Sequence, residues 1–319
     1  MNKIKEKSTL TVLLKKYDRY LILIAFLLVS ALLSNKFVTV TNISNILKQN
    51  AAVGIVALGE FLAVLTGGID LSVGGITSMS CVIAAMLMKG NMSWPLAVLI
   101  ALAIGCVAGI INGTLISYFK MVPFVVTLAT FNIYAGIALL LSKGRQVFFK
   151  NDAFMQIAVI GWWVLPLIAI IWFVIAYLTH FLLDKTPTGR YIRGIGGNRE
   201  AVRLSGVNIH YIEILAYMLS GLMAAIGGVI MASRMTLGSN SVGNGWELTG
   251  IASVMIGGAS ASGGIGTVGG TVVGTIIMGL ISNIMNLVGI TVYWQQIIKG
   301  IIIIVAVLSN SVRDMKERG

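Results

Sequence analysis

Long apolar runs, interrupted at short intervals by glycine, proline or charge, set the pattern of this chain. At about 20 residues per crossing, membrane spans are expected near residues 18–34, 51–66, 72–89, 96–118, 122–142, 162–183, 212–233, 250–262, 268–288 and 293–309. The fold class expected is therefore all-α, a polytopic membrane protein of about ten helices forming a single transmembrane domain over 1–319. "MNKIKEKSTLTVLLKKYDRY" before "LILIAFLLVSALL" has the charge order of a signal peptide, yet further spans follow and no A-x-A site does. It is read as an uncleaved first span.

The second and third runs are crowded together. From Ala51 to Met88 the chain is ~57 Å long as continuous helix, whereas two crossings of the hydrocarbon core need ~60 Å. No length remains for an aqueous loop, so "GGIDLSVGG" (67–75) is expected to turn inside or at the edge of the bilayer, as a broken helix. Asp70 in that turn has two compatible readings. It N-caps a helix starting at Leu71, or, with Gly67, Gly68 and Ser72, it lines a path for a polar solute. The phrase "GGIGTVGG" (263–270) resembles the same turn one residue shorter, which suggests a repeat. Two further charges fall within spans. Lys299 sits about two turns into the last one and Glu60 at comparable depth in the second, so they form a possible membrane ion pair, with snorkelling of Lys299 as the alternative.

Composition agrees with a membrane protein: 57% of residues are hydrophobic and 11% charged. The net charge of +12 does not imply nucleic acid, because the basic residues lie in short segments between apolar runs. With both termini cytoplasmic, fifteen of the 23 Lys and Arg fall inside, among them Lys3, Lys5, Lys7, Lys120, Arg193 and Arg313, and seven outside. Cys81 and Cys106 sit in apolar runs without CxxC or histidine partners, so no metal site and no cofactor is expected. His180 and His210 lie near span ends and read as interfacial.

The longest polar stretch, 184–211, is expected on the cytoplasmic side between a short N-terminal segment (1–17) and a tail (310–319). It holds one short helix. Asn198 can cap it, Arg199 to Ser205 make about two turns, and Gly206 can take the left-handed exit position. Such a helix is unstable alone in water, so it packs on its own membrane domain or docks into a partner; Arg199, Glu200 and Arg203 are the candidate contacts.

"EAVRLSG" in that helix resembles the EAA loop of bacterial ATP-binding-cassette importer permeases. "LTGGIDLSVGG", "VPFVVTLAT", "TGRYIRGIGGNREAVRLSGVNI", "GWELTGIASVMIGGAS" and "GGTVVGTIIMGLISNIMNLVGI", in this order over 65–290, resemble the ribose-type monosaccharide permeases. The resemblance implies a multi-pass subunit of the bacterial inner membrane. Its implied partners are a separate ATPase, a second permease copy as a homodimer, and an extracytoplasmic sugar-binding protein. Val202 at the third EAA position, Ala135 where relatives often carry Arg, and Thr249 where Asp is usual are departures.

The chain has no G-x-x-x-x-G-K-[ST] loop and no HExxH, so it is expected not to be an enzyme or its own ATPase. A hydroxyl-rich solute asks for uncharged donors and acceptors. Asn132, Tyr134, Asn283, Asn286 and the Gln295-Gln296 pair supply them, and each serves equally well as interhelical glue. An ATP-independent secondary carrier is the alternative function, but the helix at "NREAVRLSG" has no evident use in it.

Overall fold

The computed structural model describes residues 9–318, with side chains described over 19–308. Residues 1–8 of the expected N-terminal segment and Gly319 of the expected tail lie outside the described residues. The order of helices is α1 (Thr9–Leu33), α2 (Val40–Leu65), α3 (Val73–Lys89), α4 (Trp94–Ser117), α5 (Pro123–Ser142), α6 (Asp152–Val159), α7 (Leu167–Lys185), α8 (Pro187–Leu204), α9 (Ile209–Met235), α10 (Trp246–Ile256), α11 (Val268–Leu287) and α12 (Val292–Arg318). Four two-residue strands complete it. β1 (Val147–Phe148) pairs antiparallel with β4 (Leu237–Gly238), and β2 (Gly161–Trp162) with β3 (Leu165–Pro166).

Among the described residues six helices are long and apolar enough to cross a membrane: α2, α4, α5, α7, α9 and α11. Shorter apolar stretches, Arg19–Leu33, Val73–Lys89, Trp246–Ile256 and Val292–Leu308, stand where four more spans are expected. One expected boundary is corrected by this. Where residues 250–262 are expected to cross, the helix runs only over Trp246–Ile256, about 16 Å. The positive φ of Gly258, Gly263 and Gly264 then carries the chain through an irregular turn.

The second span is corrected in the other direction. It begins at Val40, where Thr39 caps it by accepting from the Asn42 N–H. The polar letters of "TNISNILKQN" hide this start, but Asn42 and Asn50 are buried. Helix α2 is then almost wholly enclosed from Ala51 to Leu65 and forms the axis of the bundle with α9. Its close neighbours include Trp172, whose ring occupies the space a side chain at Gly54 would need.

Helices α4 and α9 meet along a seam of small residues. A β-carbon at Gly105 would lie 2.4 Å from Ala225 Cβ, one at Gly109 2.2 Å from the Tyr217 carbonyl oxygen, and one at Gly113 2.7 Å from Ile214 Cα. The partner numbers fall as the glycine numbers rise, so the helices are antiparallel with their backbones touching, the geometry that glycines at i, i+4 and i+8 allow.

The bundle has two distinct ends. At one, Gly264 N–H donates to the Leu65 carbonyl at 3.0 Å, and Gly196 packs between Leu65 and Gly264. The two glycine-rich turns that resemble each other in sequence thus touch: a β-carbon at Gly263 would come 2.7 Å from Gly67 N. At the other end β1 pairs with β4, Asn240 donates to Ser142 Oγ at 3.2 Å, and Ser233 donates to the Phe154 carbonyl at 2.7 Å.

Candidate functional site

The broken segment between α2 and α3 turns at the first of these ends. Gly67 takes a φ of +85°, which favours glycine, and lets the chain leave α2. Asp70 differs from its expected role by a small shift in position. Helix α3 begins at Val73, not Leu71, and the cap position is held by Ser72, which makes no side-chain cap bond. Asp70 stands two residues earlier. Its Oδ1 accepts from Ser72 N–H at 3.1 Å and from Ser72 Oγ at 2.5 Å, which closes an Asx turn. Its Oδ2 accepts from Ser220 Oγ on α9 at 2.7 Å.

Around it the polar groups continue. Asn112 on α4 donates to Ser72 Oγ at 2.7 Å, Thr127 on α5 donates to the Ile69 carbonyl at 3.1 Å, and Asp70 N–H donates to Glu60 Oε1 at 3.0 Å. Glu60, Asp70, Ser72, Asn112 and Ser220 are fully buried. Four helices and the turn are tied into one network of buried hydrogen bonds.

The possible Glu60–Lys299 ion pair is not formed. Glu60 is taken up by the Asp70 backbone, and among the described residues the ion pairs join His180 and Arg193 to Asp184, Arg199 to Glu213, and Arg203 to Glu200.

The expected short helix is present with both of its ends as anticipated. The backbone of α8 breaks at Asn198, at φ −154° and ψ 92°, and Asn198 Oδ1 accepts from Ala201 N–H at 3.0 Å. Gly206 leaves at φ +81°. The three candidate contact residues divide between two environments. Arg199 turns inward and forms a two-pronged pair with the buried carboxylate of Glu213 on α9, its Nη2 lying 3.0 Å from Oε2. Glu200 and Arg203 pair with each other on the open surface at 2.5 and 2.9 Å, and the hydrogen bonds from Arg203 hold the Glu200 carboxyl below its ordinary range.

Glu213 was not foreseen from the sequence, and it has a second partner. Ser117, at the end of α4, donates to Glu213 Oε2 at 2.6 Å and meets His210 Nδ1 at 2.8 Å. Because the hydroxyl proton goes to the carboxylate, Nδ1 of His210 is the donor in the second bond. His210 also stacks on Tyr118, with ring centroids 4.4 Å apart. A cavity of about 440 Å³ separates this cluster from the broken turn; Gly67, Gly68, Lys120, Arg199, Glu213 and Tyr217 line it.

The remaining candidates for a solute path have hydrogen-bond partners of their own. Asn283 and Asn42 exchange two amide hydrogen bonds, at 2.8 and 3.1 Å, and so join α11 to α2. Asn286 accepts from Gln295 at 2.8 Å. The Tyr134 hydroxyl donates to the Ala108 carbonyl at 3.1 Å. These three act as glue between helices. Asn132 is exposed on α5 and donates to the Leu128 carbonyl at 2.9 Å.

The turn tied by buried carboxylates and the short capped helix thus lie at the same end of the bundle. The family model described as "Branched-chain amino acid transport system / permease component" matches residues 42–307. The chain belongs to this permease family. The permease is 35% identical over 299 residues to the ribose import permease protein RbsC of Escherichia coli (strain K12), covering 91% of this chain and 92% of that one. It is 36% identical over 297 residues to RbsC of Bacillus subtilis (strain 168), covering 92% of each. With the galactose/methyl galactoside import permease protein MglC of Escherichia coli (strain K12), the identity is 35% over 346 residues and the full length of both. No solved structure matches the permease.

Proposed function

We propose that this permease is the membrane subunit of an ATP-driven ABC importer that takes in a ribose-like monosaccharide delivered by an extracytoplasmic binding protein. The observation that carries the reading is the two-turn helix after Asn198, capped at both ends, anchored by Arg199 on Glu213 and presenting Glu200 and Arg203 outward. A helix this short has no stability of its own, and one held from behind with a charged outer edge suits docking to a cytoplasmic ATPase. The sugar class rests on the ribose and galactose permeases to which the chain is similar along its length.

In this reading 184–211 is the coupling loop, both termini are cytoplasmic, and about ten helices span the bacterial inner membrane, with α10 entering as a half-helix. The polar Asn132 on the otherwise apolar open face of α5 supports a second, identical copy against that face, since an amide turned to hydrocarbon is costly.

The test is reconstitution in vesicles with an ATPase subunit and a binding protein. ATP-dependent uptake of ribose or a related sugar is the expected result. Uptake that continues without ATP and stops on collapse of the proton gradient would refute the proposal. The sidedness is checked by a cysteine at Asn240, which should react with an impermeant label from outside; reaction only after permeabilisation would reverse it.

A further inference from the structure

We propose that α4 and α9 form one rigid lever carrying movement of the Arg199–Leu204 segment to the Asp70 turn, with Glu213 and Ser220 as its two grips. The inference rests on the reading of that segment as the ATPase-coupling helix and adds the residues through which its movement reaches the membrane interior.

Three observations converge. First, a lever must not bend at the joint between its parts. The α4–α9 seam has backbone against backbone at Gly105, Gly109 and Gly113, with no long side chains between to change rotamer, so the two helices move as one body. Second, the grips lie on one face of α9. Glu213, Tyr217 and Ser220 follow at i, i+4 and i+7, and Glu213 and Ser220 stand about 10 Å apart along the axis. Glu213 holds Arg199 by a bidentate pair, whose planar geometry resists rotation better than a single contact. Ser220 holds Asp70 Oδ2 at 2.7 Å. Third, α4 duplicates both attachments. Ser117 binds the same Glu213 carboxylate at 2.6 Å, and Asn112 binds Ser72, the other residue of the Asx turn, at 2.7 Å.

Between the grips the turn borders open space on one side, while Glu60 on α2 and Thr127 on α5 bond it on the other. Gly67 and Gly68 border the cavity, and the Tyr217 hydroxyl occupies the space a side chain at Gly68 would need. A shift of α9 along its axis therefore pulls the carboxylate of Asp70 and presses Tyr217 on the turn at once. Glu213 and Ser220 are positioning residues; both are buried, and neither touches solvent where a docked ATPase would sit.

The experiment uses the reconstituted importer with its ATPase and binding protein, comparing Ser220→Ala, Ser220→Thr, Glu213→Gln and the Ser220→Ala/Glu213→Gln double variant for ATPase co-purification, ATP hydrolysis and sugar uptake. Both alanine and glutamine variants should bind the ATPase and hydrolyse ATP within about twofold of the parent while sugar carried per ATP falls about tenfold. The double variant should be no worse than the more severe single, because one line is cut twice. Ser220→Thr keeps a hydroxyl and should restore coupling. Full coupling in Ser220→Ala, singles whose losses multiply in the double, or hydrolysis and uptake falling together with the folded fraction would each overturn the lever. A parent permease that takes up sugar without ATP or an ATPase would overturn the coupling-helix reading and the lever with it; coupled transport unaffected by these variants removes the lever alone.

Discussion

Replacing Gly109 with alanine is the sharpest test of the α4–α9 seam. The added methyl would meet the Tyr217 carbonyl oxygen at 2.2 Å, Met218 Cα at 2.8 Å and Tyr217 C at 2.9 Å. All three are backbone atoms, so no side chain can swing aside; the helices must separate by roughly 1 Å to restore ordinary van der Waals contact. Overpacking of this kind costs about 1–3 kcal/mol. Alanine also raises helix propensity by about 1 kcal/mol over glycine, which leaves a net loss of up to about 2 kcal/mol. Gly136 on α5 supplies the control, since nothing lies within 4 Å of the β-carbon it would gain. Within the single chain only the propensity gain remains there.

Thermal unfolding of both variants in the same detergent measures the difference. A kcal/mol shifts the midpoint of a 150–250-residue domain by about 2–4 °C and that of a longer chain by less, so Gly109→Ala should melt a few degrees below the parent and Gly136→Ala at or slightly above it. Equal midpoints for the two variants would refute the tight seam, and with it the rigidity that the lever requires.

Other consequences follow from individual bonds. Asp70→Asn keeps an acceptor for the two Ser72 donors and should yield folded protein, whereas Asp70→Leu strands Ser72 N–H, Ser72 Oγ and Ser220 Oγ in the interior at about 1–3 kcal/mol for each unpaired group; monodisperse yield on size exclusion distinguishes them. Asn42→Ala and Asn283→Ala should each destabilise by about 1–3 kcal/mol, while the double variant costs less than the sum because no orphan amide remains; denaturant titration decides. Lys299→Met and Glu60→Met should combine additively in transport assays, since the two side chains form no ion pair, and restoration of one by the other would contradict the structure. The Glu200 carboxyl, lowered by Arg203, keeps its charge at and above neutrality and gives up this pair only as pH falls through its lowered value. ATPase co-purification should therefore be flat from neutral to mildly alkaline pH, and a decline there would argue against a Glu200–Arg203 docking edge.

The helical class and the position of most helices were legible because an apolar run of span length has few other uses. The short helix after Asn198 was legible because its signals are local: the cap, its two turns and the exit glycine all fall within nine residues. What escaped depends on distant partners. The first turns of α2 read as polar loop because the residue that satisfies Asn42 is Asn283, 241 positions away. Glu60 suggested an ion pair with Lys299 because both charges lie in apolar runs, whereas its acceptor oxygen is used by a backbone N–H in the following turn. Glu213 carried a usable sign, a lone carboxylate at the start of an apolar helix shortly after two arginines. Its spacing from Ser220 gains meaning only once α9 is known to face Asp70.

The choice between cap and path for Asp70 also looks different once its neighbours are known. Asp70 and Ser72 are fully enclosed, and Gly67 and Gly68 line the cavity at this end. A simple cap would need only the N–H groups of its own helix, yet one of the two carboxylate oxygens is spent on a hydroxyl 150 residues away. Serine or asparagine could close the Asx turn at less desolvation cost. A carboxyl group has two oxygens, so it can hold two donors from the turn on one and a donor from α9 on the other. That is what a joint requires if a turn with glycine on one side is to follow a helix on the other without separating from it.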